Sequence, residues 1–242
     1  MEPGEVAATA GTSGVIYAVS DELGYDEQSR VNSFAHVNYT VPSSLEQSSK
    51  TKIGSEARKG EVRVGVLLCV NGCGIMNRYI KDNFSNGLSY TQMNELAAAI
   101  PAGSYDLEVL PFGNGAERML GNKNIGASIH NLDLNKHTPA HMFRAVQEGI
   151  ACALRYGLDI MRQNGLKPSV IRAGNANMFL SDVFTQSFVN LTGVPVELYN
   201  NDGSTGAALG AGIGAGIFKN NREAFGGLKK IKIEEPGAKE KE

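Results

Sequence analysis

The chain predicts an α/β fold, a mixed sheet flanked by helices. Three observations carry this expectation: two β-prone arms meet at a glycine-rich turn within the first twenty residues, strands dominate the first third, and helix and strand alternate in the last hundred residues.

Taken in order, residues 6–19 read as a hairpin with Gly11-Thr12-Ser13-Gly14 at its tip. Residues 31–39 form a third strand, with Phe34, His36 and Asn38 alternating against Ala35, Val37 and Tyr39 and Pro42 stopping it. The stretch 43–61 holds only Leu45 and Ile53 as sizeable apolar residues, too few to offset its ordering entropy, and is expected to be a loose surface insertion. Residues 62–70 are strongly apolar, and the pattern by itself fits a strand or the start of a helix. A helix follows over 74–84, and another over 91–100 with Thr91 as cap and Pro101 as stop. Residues 107–112 make a short buried strand.

The longest helix begins at Thr138-Pro139, a cap and first-turn pair. Its apolar residues Phe143, Val146, Ile150, Leu154, Leu158 and Met161 recur at spacings of three and four, and Gly165 ends it. Strand 169–172, helix 178–191, strand 194–199 and a Gly/Ala helix over 205–218 complete the alternation, and the Lys/Glu-rich residues from Lys229 read as a solvated tail.

Composition bounds the function classes. At 242 residues the chain can bury a large core, and a net charge of −2 gives no electrostatic case for nucleic acid or an anionic membrane as partner. Cys69, Cys73 and Cys152 form no C-x-x-C pair, which supports neither a disulfide framework nor a zinc ribbon and fits a reducing, cytoplasmic setting. No apolar run reaches the roughly 18 residues needed to span a bilayer, and the first residues lack the basic and apolar regions of a signal peptide. Because the first strand begins so close to Met1, the chain is expected to be a fragment of a longer protein.

The glycines cluster at 103–126 and 203–216, which points to backbone approaching a ligand or other backbone. At the hairpin tip the glycines let main-chain N–H groups converge on an anion while Thr12 and Ser13 add hydroxyl donors, although an ordinary polar turn is the default for these four residues taken alone. Two later junctions change that balance. Ala173-Gly174-Asn175-Ala176-Asn177 and Asn200-Asn201-Asp202-Gly203-Ser204-Thr205-Gly206 each carry a strand into a helix, and ligands of α/β sheets sit beyond the carboxyl ends of strands. Together with the tip they would form three sides of one nucleotide pocket.

Other features read as structural. Gly210 and Gly212 imitate part of a dinucleotide fingerprint, yet they lie inside a helix, where close packing is the better account, and the chain has no P-loop. His137 and His141 stand four apart without a zincin pattern and read as capping or surface residues. Cys69 and Cys73 read as buried thiols. Glu117 and Arg118 read as a local salt bridge in a glycine-rich loop, with ligand contact the alternative.

Taken together, Glu2-Pro3-Gly4-Glu5-Val6 leading into Gly11-Thr12-Ser13-Gly14, Pro111-Phe112-Gly113-Asn114-Gly115-Ala116-Glu117-Arg118, Ala173-Gly174-Asn175-Ala176-Asn177 and Asp202-Gly203-Ser204-Thr205-Gly206-Ala207-Ala208-Leu209-Gly210-Ala211 resemble the C-terminal half of the FGGY carbohydrate kinases, most of all the xylulokinases. The resemblance implies a ribonuclease H-like, actin-type ATPase domain over 1–226, interrupted by the insertion at about 43–61 and followed by a charged tail over 227–242. It implies ATP with Mg2+ and transfer of the γ-phosphoryl group to a sugar hydroxyl, with D-xylulose the expected pentulose. Another ketose or polyol kinase, or a nucleotide-binding module without turnover, is the alternative.

Within the resemblance the terminal phosphates fall to Gly11, Thr12 and Ser13, and the adenosine to Gly174, Asn175 and Asn177. The family's run of glycines followed by Ala-Lys/Arg-Ser/Asn stands here as Ala-Gly-Asn-Ala-Asn-Met, and its Gly-Glu-Arg-Thr-Pro loop as Gly115-Ala116-Glu117-Arg118-Met119. The general base of such kinases is an aspartate of a Gly-Asp motif that precedes the first hairpin, so no catalytic residue or protein metal ligand is assigned here. The sugar-binding N-terminal lobe is expected to lie outside this chain, which by itself would then be inactive. The face that lobe leaves open would make the chain prone to self-association, a homodimer included.

Overall fold

Two arms of a hairpin, β1 (Glu5–Ala10) and β2 (Gly14–Ser20), start the main sheet, paired antiparallel with Val6 opposite Ala18 and the predicted tip between them. The fold is taken from a computed structural model that describes residues 1–22, 24–36 and 63–237. The expected insertion at 43–61, the far end of the expected third strand and Pro42 lie outside the described residues.

β3 (Asn32–Ala35) is shorter than the sequence suggests within the described residues, and β4 (Val64–Val70) resolves the ambiguity over 62–70 in favour of a strand. All seven residues of β4 pair with β2, from Gly14–Val70 to Ser20–Val64, and this ladder is what a helix there would forfeit. Next come α1 (Gly74–Phe84) and α2 (Tyr90–Ala98). The cap of α2 is Ser89, not Thr91, because Ser89 and Gln92 form a reciprocal capping box that satisfies two otherwise unpaired N–H groups.

The expected strand at 107–112 forms as β5 (Glu108–Leu110), but it leaves the main sheet to pair with β6 (Ser128–His130) in a separate two-stranded ribbon. The centre of the molecule is α3 (Pro139–Gln163). Phe143, Val146, Ile150, Leu154, Leu158 and Met161, the predicted apolar stripe, are all buried. Gly157 lets the side chain of Leu68 rest on the α3 backbone, since a Cβ there would overlap it. α3 lies across β2 and β4, with α1, α2 and α4 (Asp182–Thr192) packed beside it.

The expected helix over 178–191 is broken. Residues Asn177–Leu180 form a 3-10 turn, and Ser181, whose hydroxyl is 2.5 Å from Gln147 Oε1 of α3, caps α4 separately. The remaining elements are β7 (Val170–Gly174), β8 (Val196–Tyr199), α5 (Gly203–Gly214), α6 (Asn221–Phe225) and β9 (Lys230–Glu234). β9 lies within the segment expected to be a solvated tail: the strand pairs antiparallel with β8, which the sequence reading did not foresee, and its side chains stay largely exposed.

The seven strands run in the order β3-β4-β2-β1-β7-β8-β9, antiparallel from β3 to β1, parallel through β1, β7 and β8, and antiparallel at β9. The sheet is therefore mixed, with its main helices on one face. On the other face a row of charges crosses four strands: Glu5, Arg172, Glu197 and Lys230. Lys230 above all, with the Tyr199 hydroxyl and Arg172, holds the Glu197 carboxyl down at about 2. A depressed carboxyl stabilises the fold above its unfolded pKa, and that contribution is lost as pH falls through the folded value. Glu197→Gln is thus expected to be less stable than the parent chain at neutral pH by an amount that shrinks in acid and vanishes near pH 2. Urea unfolding of both proteins across that range reads it, and a gap that does not change with pH would refute the ladder's electrostatic role.

Among the described residues no helix is long and apolar enough to cross a membrane.

Candidate nucleotide site

β1, β7 and β8 run parallel, so their carboxyl ends open on one edge of the sheet. The three small-residue junctions predicted from sequence stand on that edge: the tip after β1, Gly174–Asn177 after β7, and Asn200–Thr205 after β8. They touch one another. A Cβ on Gly11 would lie 3.7 Å from Asn177 Nδ2, and one on Gly174 would overlap the carbonyl of Asn201. Asn175 N donates to Tyr199 O at 2.8 Å, tying the second junction to the third. Asn177 has a φ of 55°, a left-handed conformation that asparagine tolerates better than most side chains and that places its amide beside the tip.

The tip is oriented by an element that sequence reading passed over. β4 is antiparallel to β2, so it delivers Asn71-Gly72-Cys73 and the first turn of α1 to the same edge. There Gly74 N donates to Gly11 O at 2.8 Å and Ile75 N to Thr12 O at 3.1 Å. A trans peptide holds its N–H opposite its carbonyl. Pinning the carbonyls of Gly11 and Thr12 onto α1 therefore turns the N–H groups of Thr12 and Ser13 away from α1, where an anion can reach them. Cys73 fills the space behind the tip, against Gly14, and burial pushes its thiol up to about 12. It is a buried thiol, as expected, while Cys69 is only partly covered.

A second strut is the loop from Pro111 to Glu117. Glu117 is fully buried, and it does not pair with Arg118 as the sequence suggested. Its oxygens accept from Asn71 N at 3.0 Å and Gly72 N at 2.9 Å, while Arg118 turns away to donate to Ser29 O. Two amide contacts bind the same loops: Asn71 Nδ2 donates to Ala116 O at 2.7 Å, and Asn114 Nδ2 to Asn71 O at 3.1 Å. The available signal was the spacing of Asn71-Gly72 from strand β4, a small-residue strand-to-helix junction like the other two.

At the third junction Asp202 caps α5. Its Oδ1 accepts from the Ser204 hydroxyl, Thr205 N and the Thr205 hydroxyl, and these bonds, Ser204 first, hold the carboxyl down to about 2. Gly212 packs against the Phe218 ring, the close approach expected for a helix glycine, whereas Gly210 faces open space. His141 closes a capping box with Thr138, and His137 bonds Tyr105 O, so both histidines serve the start of α3. Among the described residues no group of three or more His, Cys, Asp or Glu side chains converges as a metal cage would require.

The arrangement suits a long, phosphorylated ligand. Uncharged donors at the tip can hold phosphate oxygens, and the Gly174–Asn177 junction beside it offers the exposed side-chain amides of Asn175 and Asn177 for a polar ring system.

Residues 6–217 match the model of the FGGY family of carbohydrate kinases, C-terminal domain. Over 106 residues the chain is 40% identical to a xylulose kinase of Haemophilus influenzae, covering 44% of this chain and 21% of that protein. Over 230 residues it is 26% identical to a xylulose kinase of Escherichia coli, covering 93% of this chain and 41% of that one. In fold it is similar to the crystal structure of a xylulose kinase from Rhodospirillum rubrum, with a TM-score of 0.75 and 22% identity over 98% of this chain and 43% of that one. The chain thus spans less than half the length of these relatives.

Proposed function

Since the chain belongs to the FGGY family of carbohydrate kinases, matching the C-terminal domain, we propose that it is the ATP-binding half of a kinase that phosphorylates a pentulose, with D-xylulose the first candidate. The observation that carries this reading is the meeting at one sheet edge of an anion-ready tip and a second glycine junction, with Gly11 against Asn177. A nucleotide needs both environments, donors for its phosphates and polar side chains for its nucleoside, and the two junctions offer them side by side. Gly11, Thr12 and Ser13 take the terminal phosphates, and Gly174, Asn175 and Asn177 take the adenosine. Magnesium would enter with the nucleotide and offset the charge of its phosphates, since no cluster among the described residues would hold it as a protein cage. ATP supplies the transferred phosphoryl group, and this chain's residues bind and orient it. A cytoplasmic location accords with that substrate.

The choice of pentulose draws on the xylulose kinases of Haemophilus influenzae and Escherichia coli among the relatives. Turnover by this chain alone is not expected. Glu117 is buried and committed to two backbone N–H groups, and Asp202 Oδ1 to its cap, so neither is offered as the base that takes a proton from an attacking hydroxyl.

Calorimetry with ATP and magnesium, followed by a coupled assay with D-xylulose, tests both halves of the reading. Binding without sugar-dependent ADP release is the expected result. Thr12→Val keeps shape and removes one hydroxyl donor, and a hydrogen bond to a charged group is worth roughly 1.5–3 kcal/mol. The variant should lose ATP affinity accordingly, with its stability little changed. A folded variant that binds ATP within about twofold of the parent removes Thr12 from the site, and ADP release that depends on sugar would show that the chain holds a base of its own.

A further inference from the structure

We propose that Glu117 is a positioning residue for the phosphate-binding tip, acting through the β4–α1 loop without touching the ligand. The inference rests on the nucleotide reading above. It joins four contacts into one path. Glu117, buried, grips the N–H groups of Asn71 and Gly72. Gly72 is held from the other side, because a Cβ there would overlap the carbonyl of Pro111, so the loop has no slack. Cys73, immobilised against Gly14, passes the chain into α1. The first two N–H groups of α1, from Gly74 and Ile75, then set the carbonyls of Gly11 and Thr12. Because each peptide is planar, rotating those carbonyls rotates the N–H groups of Thr12 and Ser13 with them.

The two oxygens of Glu117 therefore fix the direction of the phosphate donors. A carboxylate suits the task, since it offers an acceptor to each of two adjacent N–H groups and has no donor to misplace. Glutamine in the same position would keep one acceptor and set an NH2 group against the other N–H, forcing the Asn71–Gly72 peptide to turn. Removing the acid should then disturb phosphate recognition more than adenosine recognition, whereas a purely structural anchor would affect both alike.

The test compares the 242-residue chain with Glu117→Gln by calorimetry against ATP and AMP, each with magnesium, and by hydrogen exchange without nucleotide. The expected result is an ATP affinity lower by about tenfold with AMP affinity held within about twofold, together with faster exchange at the tip, residues 11–14. ATP and AMP weakening in parallel, or tip exchange equal to that of the parent, overturns the proposal. Where Glu117→Gln fails to fold, Asn114→Ala decides, because it removes only the Asn114–Asn71 bond of the same clamp: a reduced ATP-to-AMP preference supports the path and an unchanged one overturns it. The exchange readout needs no ligand, so a parent chain that binds neither nucleotide defeats the nucleotide reading and still leaves the path from Glu117 to the tip to be judged.

Discussion

Gly72→Ala is expected to cost more than about 3 kcal/mol, beyond the ordinary range for overpacking. The added Cβ meets the carbonyl of Pro111 head-on, with Phe112 Cα at 3.0 Å behind it. Neither backbone can retreat: the Asn71–Gly72 segment is clamped to Glu117, and the Pro111 segment runs directly out of β5, which lies on α3. A loss of that size is a large share of the roughly 5–15 kcal/mol that holds a domain together. Gly206→Ala is the control. That glycine stands in the interior of α5, and a Cβ added to it would meet nothing within 4 Å, so alanine there should stabilise by about 0.5–1 kcal/mol through reduced backbone entropy. Urea midpoints of the two variants moving in opposite directions is the expected outcome, and similar midpoints would mean that the β4–α1 loop is not under the constraint described.

Phe184→Ala should lower stability by about 3–5 kcal/mol, the range for truncating a large buried aromatic. Phe184 and Phe188 are fully buried and stack in parallel at 6.0 Å, and Phe179 meets Phe184 edge-on at 5.2 Å. The loss should also reach the site, because Phe179 belongs to the 3-10 turn Asn177–Leu180 that carries Asn177 to Gly11. Chemical unfolding measures the first effect and calorimetry with AMP the second. An adenosine affinity unchanged in a folded variant would separate the aromatic cluster from the placement of Asn177.

How much of this was legible in the sequence depended on the range of the interaction. The hairpin could be read because glycine and hydroxyl residues flanked by β-prone arms specify a turn locally. α3 could be read because a stripe of six large apolar residues at spacings of three and four leaves one face to bury, and all six are buried. The junctions after β7 and β8 could be read because small residues after an apolar strand mark the end of the strand wherever it sits. The Glu117–Arg118 pairing went astray for the complementary reason. Neighbouring opposite charges suggest each other, yet Glu117 accepts from N–H groups 46 and 45 residues away, partners that no local pattern names.

By itself, then, the sequence determined which segments become strands and helices wherever periodicity or a turn motif acts within a few residues, and it marked the tip and the two late junctions as small-residue sites. Tertiary structure decided what depends on partners distant along the chain. It made 64–70 a strand, because β2 was there to pair with it, and sent β5 out of the main sheet to β6. It broke the helix at Ser181, whose hydroxyl meets Gln147 of α3, and it drew β9 out of a charged segment onto the edge of β8. Above all it joined Glu117, Asn71, Gly72 and α1 behind the tip. Hydrogen-bond direction and the room for a single Cβ are set by atoms that fold together from distant parts of the chain, and so they are written in the packing and not in any one stretch of residues.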